Sequence, residues 1–156
     1  NRIRIHPNLY VGNGTNGFGK VCLSILGTWS GPKWTSIMDV TTVLLTIQSL
    51  LDNNPLHHEP GQENNKTMMN NLYNEVIKYE SIQTLTIKNL VDTPEGFNIF
   101  LDDMKKELTK YNKDIQKFLN SKKCIKNREI TVSFYRIQTI LDYQSLITQY
   151  ALLLKQ

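Results

Sequence analysis

The chain is poor in the residues and patterns that would give its function away. It has two cysteines in 156 residues, Cys22 and Cys124. Two thiols are too few for a disulfide framework and suit a reducing compartment, so the expected setting is the cytoplasm or nucleus. No apolar run approaches the ~18 to 20 residues of a membrane span, and no signal-peptide pattern opens the chain; no membrane partner is expected. There is no internal repeat and no strict heptad long enough for a coiled coil. Zinc-ligand spacing, an RNA-binding aromatic signature and a recognition-helix pattern are all missing. Methionine is missing from the first position and the text opens in mid-strand, so the chain is expected to be a piece of a longer polypeptide.

What remains is an ordinary globular composition, 40% hydrophobic and 21% charged, enough for one domain with a modest core. The net charge of +4 is uneven: nine basic residues lie between Lys105 and Arg128, against Glu107 and Asp114. Without a nucleic-acid motif beside it, that run reads as a solvated helix face with a basic loop, and no nucleic-acid partner is expected.

"RIRIH" (2–6) alternates like a half-exposed strand, and Pro7 ends it. Four of the eight glycines fall at Gly12, Gly14, Gly17 and Gly19, marking a loop. "KVCLSIL" (20–26) reads as a short extended run. Asp39 is placed to cap a helix carrying Val40, Val43, Leu44, Ile47 and Leu50 at three- and four-residue steps. The loop "NNPLHHEPGQENN" (53–65) separates it from a second helical pattern over about 68–90. A third runs over about 97–119 and a last over about 130–154; the two are expected to form an antiparallel helical hairpin.

The chemistry centres on "HPN" (6–8) and Cys22, sixteen positions after His6. A cysteine flanked by Val21 and Leu23 is, alone, a small core residue. As a protease nucleophile it would need a base and an orienting Asn or Asp, and His6-Pro7-Asn8 cannot supply both from one tight turn. Lys20 and His6 are the nearest groups able to promote a thiolate. An acyl carrier needs less: the attacking amine belongs to the substrate, and the site needs a rigid donor aimed at the oxyanion of the attacked thioester. Asn8 on a proline-anchored turn is such a donor. His57 and His58 lack a third ligand, so no metal is expected, and no organic cofactor is implied.

The string "HPNLY…GKVCLSILGTWSG…VLLTIQSLL…NP…EPGQE" resembles the catalytic core of ubiquitin-conjugating (E2) enzymes, whose pattern is an HPN turn, a loop, and Gly-x-x-Cys-Leu before a crossover helix. Gly19-Lys20-Val21-Cys22-Leu23 matches it residue by residue. Large E2 and E2/E3 hybrid proteins, the giant inhibitor-of-apoptosis E2 among them, share strings of this type. The resemblance implies an α+β fold. It is the C-terminal part of a UBC fold (end of the antiparallel sheet, active-site loop, crossover helix) followed by a C-terminal helical hairpin, with the N-terminal helix and first strands absent. Residues 1–90 would be the core and 91–156 a helical extension packed on it. Without the N-terminal part, the segment is expected to expose apolar surface.

The resemblance further implies that Cys22 receives ubiquitin as a thioester from an E1 activating enzyme and passes it to a substrate lysine or an E3 ligase. Asn8 would steady the oxyanion, and His6 and Pro7 would hold the turn. His58 or Glu59 would orient the lysine from the loop after the crossover helix. The chain departs from the family pattern in its longer interval between HPN and cysteine, and in "WTSI" (34–37) where small members present "WSPA" to ligases. The alternative is a catalytically silent E2-like module that binds ubiquitin or a ligase.

Overall fold

The computed structural model describes residues 3–12 and 19–155. The chain divides into two compact units, one of Asn1–Glu75 with Val132–Ile137, the other of Val76–Thr131 with Gln138–Gln156. Mixed helix and small antiparallel sheets make it α+β, with a mainly helical C-terminal region.

In the first unit, Leu9–Tyr10 (β1) pairs antiparallel with Lys20–Val21 (β2), in the register Leu9↔Val21 and Tyr10↔Lys20. Of the expected strand over 2–6, the described residues 3–6 form none; His6 makes an isolated bridge back to Leu9. The Arg4 side chain turns back on the carbonyls of His6 and Pro7. The extended run expected over 20–26 stops at Val21, because Ser24–Leu26 closes into a 3₁₀ turn. Gly27 ends that turn at φ 68°, where its N–H donates to the Ser24 carbonyl (2.8 Å); a residue with a Cβ would resist this conformation.

Helix α1 spans Val40–Leu50, as its periodicity predicts. Asp39 caps it: its carboxylate accepts from the Thr42 amide (2.9 Å), and Thr42 Oγ1 accepts from the Asp39 amide (3.3 Å). The helix buries none of its residues, and Val40, Leu44 and Leu45 are each more than half exposed. A 3₁₀ turn, Pro55–His58, follows, with Pro55 at its start and Leu56 wholly buried.

In the second unit the helix α2, which begins in the first (Met68–Glu80), continues as a π-helical stretch, Ser81–Lys88, and a last turn, α3 (Asn89–Val91). Thr86 Oγ1 donates to the Ser81 carbonyl five residues back (3.1 Å), which matches the wider π spacing. Helix α4 spans Leu101–Ser121. The helix expected over 130–154 is divided: Arg128–Val132 (β3) and Ile137–Leu141 (β4) pair as a two-stranded sheet, and only Tyr143–Leu153 (α5) is helical. Alternation decides it. Ile130 and Val132 are buried between exposed neighbours, the two-residue period of a strand. The helical pairing survives around this insert, since Phe118 of α4 meets Tyr143 edge-on (6.2 Å) and Tyr150 donates to Asn112 (2.9 Å). Tyr79 packs edge-on against Tyr143 (5.4 Å) to complete this core with Leu141 and Leu146.

Candidate active site

The strand register builds the site. Continued one step beyond Leu9↔Val21, it sets Asn8 opposite Cys22. The Cys22 amide donates to the Asn8 carbonyl (2.8 Å), and Asn8 Nδ2 donates to the Cys22 carbonyl (2.7 Å). Both residues are buried, Cys22 to 3% exposure.

Gly19 is required by this pairing. A Cβ there would sit 2.4 Å from the Tyr10 carbonyl oxygen, which belongs to the backbone and cannot swing aside. Of the other glycines expected in this loop, Gly14 and Gly17 lie outside the described residues. Beyond Cys22, Thr28 Oγ1 accepts from the Leu23 amide (2.9 Å) and the Thr28 amide donates to the Leu23 carbonyl (3.1 Å), fixing the exit from the site.

The turn itself is held from inside. The Leu9 amide donates to the His6 carbonyl (3.0 Å), and the Asn8 amide donates to His6 Nδ1 (3.1 Å). With Nδ1 accepting, the neutral ring carries its proton on Nε2. Among the described residues, no group meets hydrogen-bond geometry with that buried Nε2. Burial, and secondly the neighbouring His58, lower the His6 pKa to about 4; the Leu50 carbonyl and Asp52 oppose the shift. With that pKa the His6 ring is neutral near pH 7. Lys20, the other group near Cys22 in sequence, has an exposed side chain.

The His58 ring lies against His6, tilted by 46° with centroids 4.9 Å apart, and its Nε2 lies 3.0 Å from Asp52 Oδ2. Burial alone would raise the Asp52 carboxyl, but hydrogen bonds from the Asn54 amide and His58 hold it below its ordinary value. Glu59, the next residue, faces elsewhere: its Oε2 accepts from the Tyr135 hydroxyl at 2.5 Å. Among the described residues no hydrogen bond joins His58 or Glu59 to Cys22. The structure thus brings Cys22, Asn8, His6 and His58 into one contiguous chain of contacts, and sets Glu59 on a second.

That second chain consists of residues the motif does not contain. The Arg4 guanidinium lies between two tyrosine rings, 3.5 Å from the Tyr10 centroid and 4.2 Å from that of Tyr135. It donates to the His6 carbonyl (3.4 Å) and to the Pro7 carbonyl. Tyr73 donates to the Arg4 carbonyl (2.9 Å) and meets Tyr135 edge-on at 5.7 Å. Burial, then the Glu59 contact, raises the Tyr135 hydroxyl far above its ordinary pKa, so it stays a donor.

Among the described residues no cluster of three or more His, Cys, Asp or Glu suits a metal, and no helix is long and apolar enough to cross a membrane. Cys124 is exposed, as is Trp34 at 47%, although its aromatic bulk suggests packing.

Residues 2–85 match the family model for the ubiquitin-conjugating enzyme. The chain is 33% identical over 151 residues to ubiquitin-conjugating enzyme E2 Z of Xenopus tropicalis, covering 96% of this chain and 46% of that protein. It is 47% identical over 85 residues to E2 Z of Homo sapiens, 53% of this chain and 22% of that one. A probable ubiquitin-conjugating enzyme of Acanthamoeba polyphaga mimivirus is 32% identical over 105 residues, 61% of this chain and 7% of its own length. The chain spans less than half the length of these relatives. It belongs to the ubiquitin-conjugating enzyme family.

Proposed function

We propose that Cys22 carries ubiquitin as a thioester, received from an E1 activating enzyme, and that a substrate lysine or an E3 ligase takes it from there. The observation that carries this reading is the double hydrogen bond between Asn8 and Cys22. In discharge, the lysine amine attacks the thioester carbonyl and a C–N bond forms. The carbonyl oxygen becomes an oxyanion, the C–S bond breaks, and Cys22 leaves as thiolate while the amine proton passes to solvent. The Asn8 amide has two N–H bonds. One is spent on the Cys22 carbonyl and fixes the group in place; the other supplies the oxyanion donor. His6, buried and neutral, and Pro7 hold the turn without taking protons.

On this reading His58 and Glu59 brace the loop beside the turn, and lysine orientation falls to that loop as a whole. The silent-module alternative is favoured by one observation, the 3% exposure of Cys22, since charging requires access to sulfur. Incubating the full-length protein with E1, ubiquitin and ATP separates the two. The proposed function predicts an adduct that reductant cleaves and Cys22→Ala abolishes; a folded protein that never forms one is a binding module.

A further inference from the structure

We propose that Tyr135 is a positioning residue of the active site, tying the HPN turn and the Glu59 loop to the Val132–Ile137 segment of the same compact unit. The inference rests on the thioester reading and extends it to a residue outside the family motif.

Two arms meet at Tyr135. Its ring lies against the Arg4 guanidinium (4.2 Å), and Arg4 holds the carbonyls of His6 and Pro7, the two residues before Asn8. Its hydroxyl holds Glu59 (2.5 Å), whose chain neighbour His58 lies against the His6 ring. Both arms therefore end on the turn that aims the Asn8 amide at Cys22. Tyr135 reaches this place from 76 positions beyond Glu59, within a segment, Val132–Ile137, that belongs to the first compact unit.

The backbone is bent to deliver it. Tyr135 and Arg136 adopt φ values of 60° and 52°, and they are the non-glycine residues with positive φ among those described. Left-handed conformation in a bulky aromatic residue persists only where the surroundings impose it, and such residues concentrate at functional sites. A connection made only to join β3 and β4 would put Gly or Asn there. Here the tyrosine is kept, with its ring against Arg4 and Tyr73 and its hydroxyl on Glu59.

The test is single-turnover discharge of preloaded thioester to free lysine, with rates normalised to the thioester present at the start. Tyr135→Phe keeps the ring over Arg4 and removes the hydroxyl; Tyr135→Leu removes both arms. A misaimed donor lowers the rate at saturating lysine without altering how lysine binds. The expected losses in that rate are about threefold for Phe and about tenfold for Leu, with KM held within about twofold. Tyr111→Leu, at an exposed position on α4, serves as the control and discharges at the wild-type rate. A wild-type rate in Tyr135→Phe, or a loss confined to KM, overturns the proposal. Should the Leu variant fail to fold, the Phe variant decides alone. A wild-type protein that never loads ubiquitin overturns the thioester reading itself, which is known before any variant is compared.

Discussion

Asn8 and Cys22 are bound to each other twice, amide to carbonyl in one direction (2.8 Å) and side chain to carbonyl in the other (2.7 Å). A residue named by the motif for its chemistry is thus also the one that continues the β1–β2 pairing to the cysteine.

This dual role makes Asn8→Ala costly in two separable ways. Removing the side chain leaves the buried Cys22 carbonyl without its donor, a loss of about 1–3 kcal/mol in unfolding free energy by urea titration. Discharge of whatever thioester forms should also slow by about a hundredfold, the scale of losing one oxyanion donor. Discharge at the wild-type rate, with stability lowered, leaves Asn8 a purely structural residue.

Gly19→Ala tests the strand pairing without touching a reacting group. The added methyl meets backbone at 2.4 Å, so β1 and β2 must separate, with a loss of about 1–3 kcal/mol in urea and slower charging. Gly61→Ala is the comparison, because its Cβ would meet nothing within 4 Å and only its φ of 81° resists substitution. If Gly19→Ala proves the milder of the two, the close approach at Tyr10 is not a constraint.

His6 sets a pH window for stability. Its pKa is about 4 in the fold against 6.5 when exposed, so the unfolded chain binds a proton that the folded one refuses between those values. Stability from this ring is full above pH 6.5 and is lost as pH falls toward 4, by on the order of 3 kcal/mol. Asp52, held below its ordinary value, gives up its contribution only at lower pH. Denaturation midpoints at pH 7 and pH 4.5 measure the effect. His6→Gln should flatten the slope across that window; an unchanged slope assigns it to other groups.

How much of this the sequence carries depends on how local each signal is. The HPN turn, Gly19 and Cys22 lie within one hairpin, and short spacing brings them together. Helix α1 is legible from Asp39 and its three- and four-residue steps because cap and helix are contiguous. Tyr135 and Arg4 are invisible for the opposite reason: they meet across 131 positions, and neither belongs to a motif. The strands β3 and β4 were hidden in a stretch whose apolar residues fit a helical period nearly as well, and the left-handed turn at Tyr135 that separates them uses neither glycine nor proline. A tyrosine in that conformation leaves no compositional trace.

The most direct measurement asks which atom carries ubiquitin. Cys22 is buried, whereas Cys124 is exposed beside Lys122, Lys123 and Lys126. Charging with E1, ubiquitin and ATP, run on Cys22→Ser and Cys124→Ser, compares them. The account predicts that Cys124→Ser loads a reductant-cleavable adduct as the wild-type protein does. Cys22→Ser should load, if at all, only as an oxyester that resists reductant and yields to hydroxide. A reductant-cleavable adduct on Cys22→Ser contradicts it.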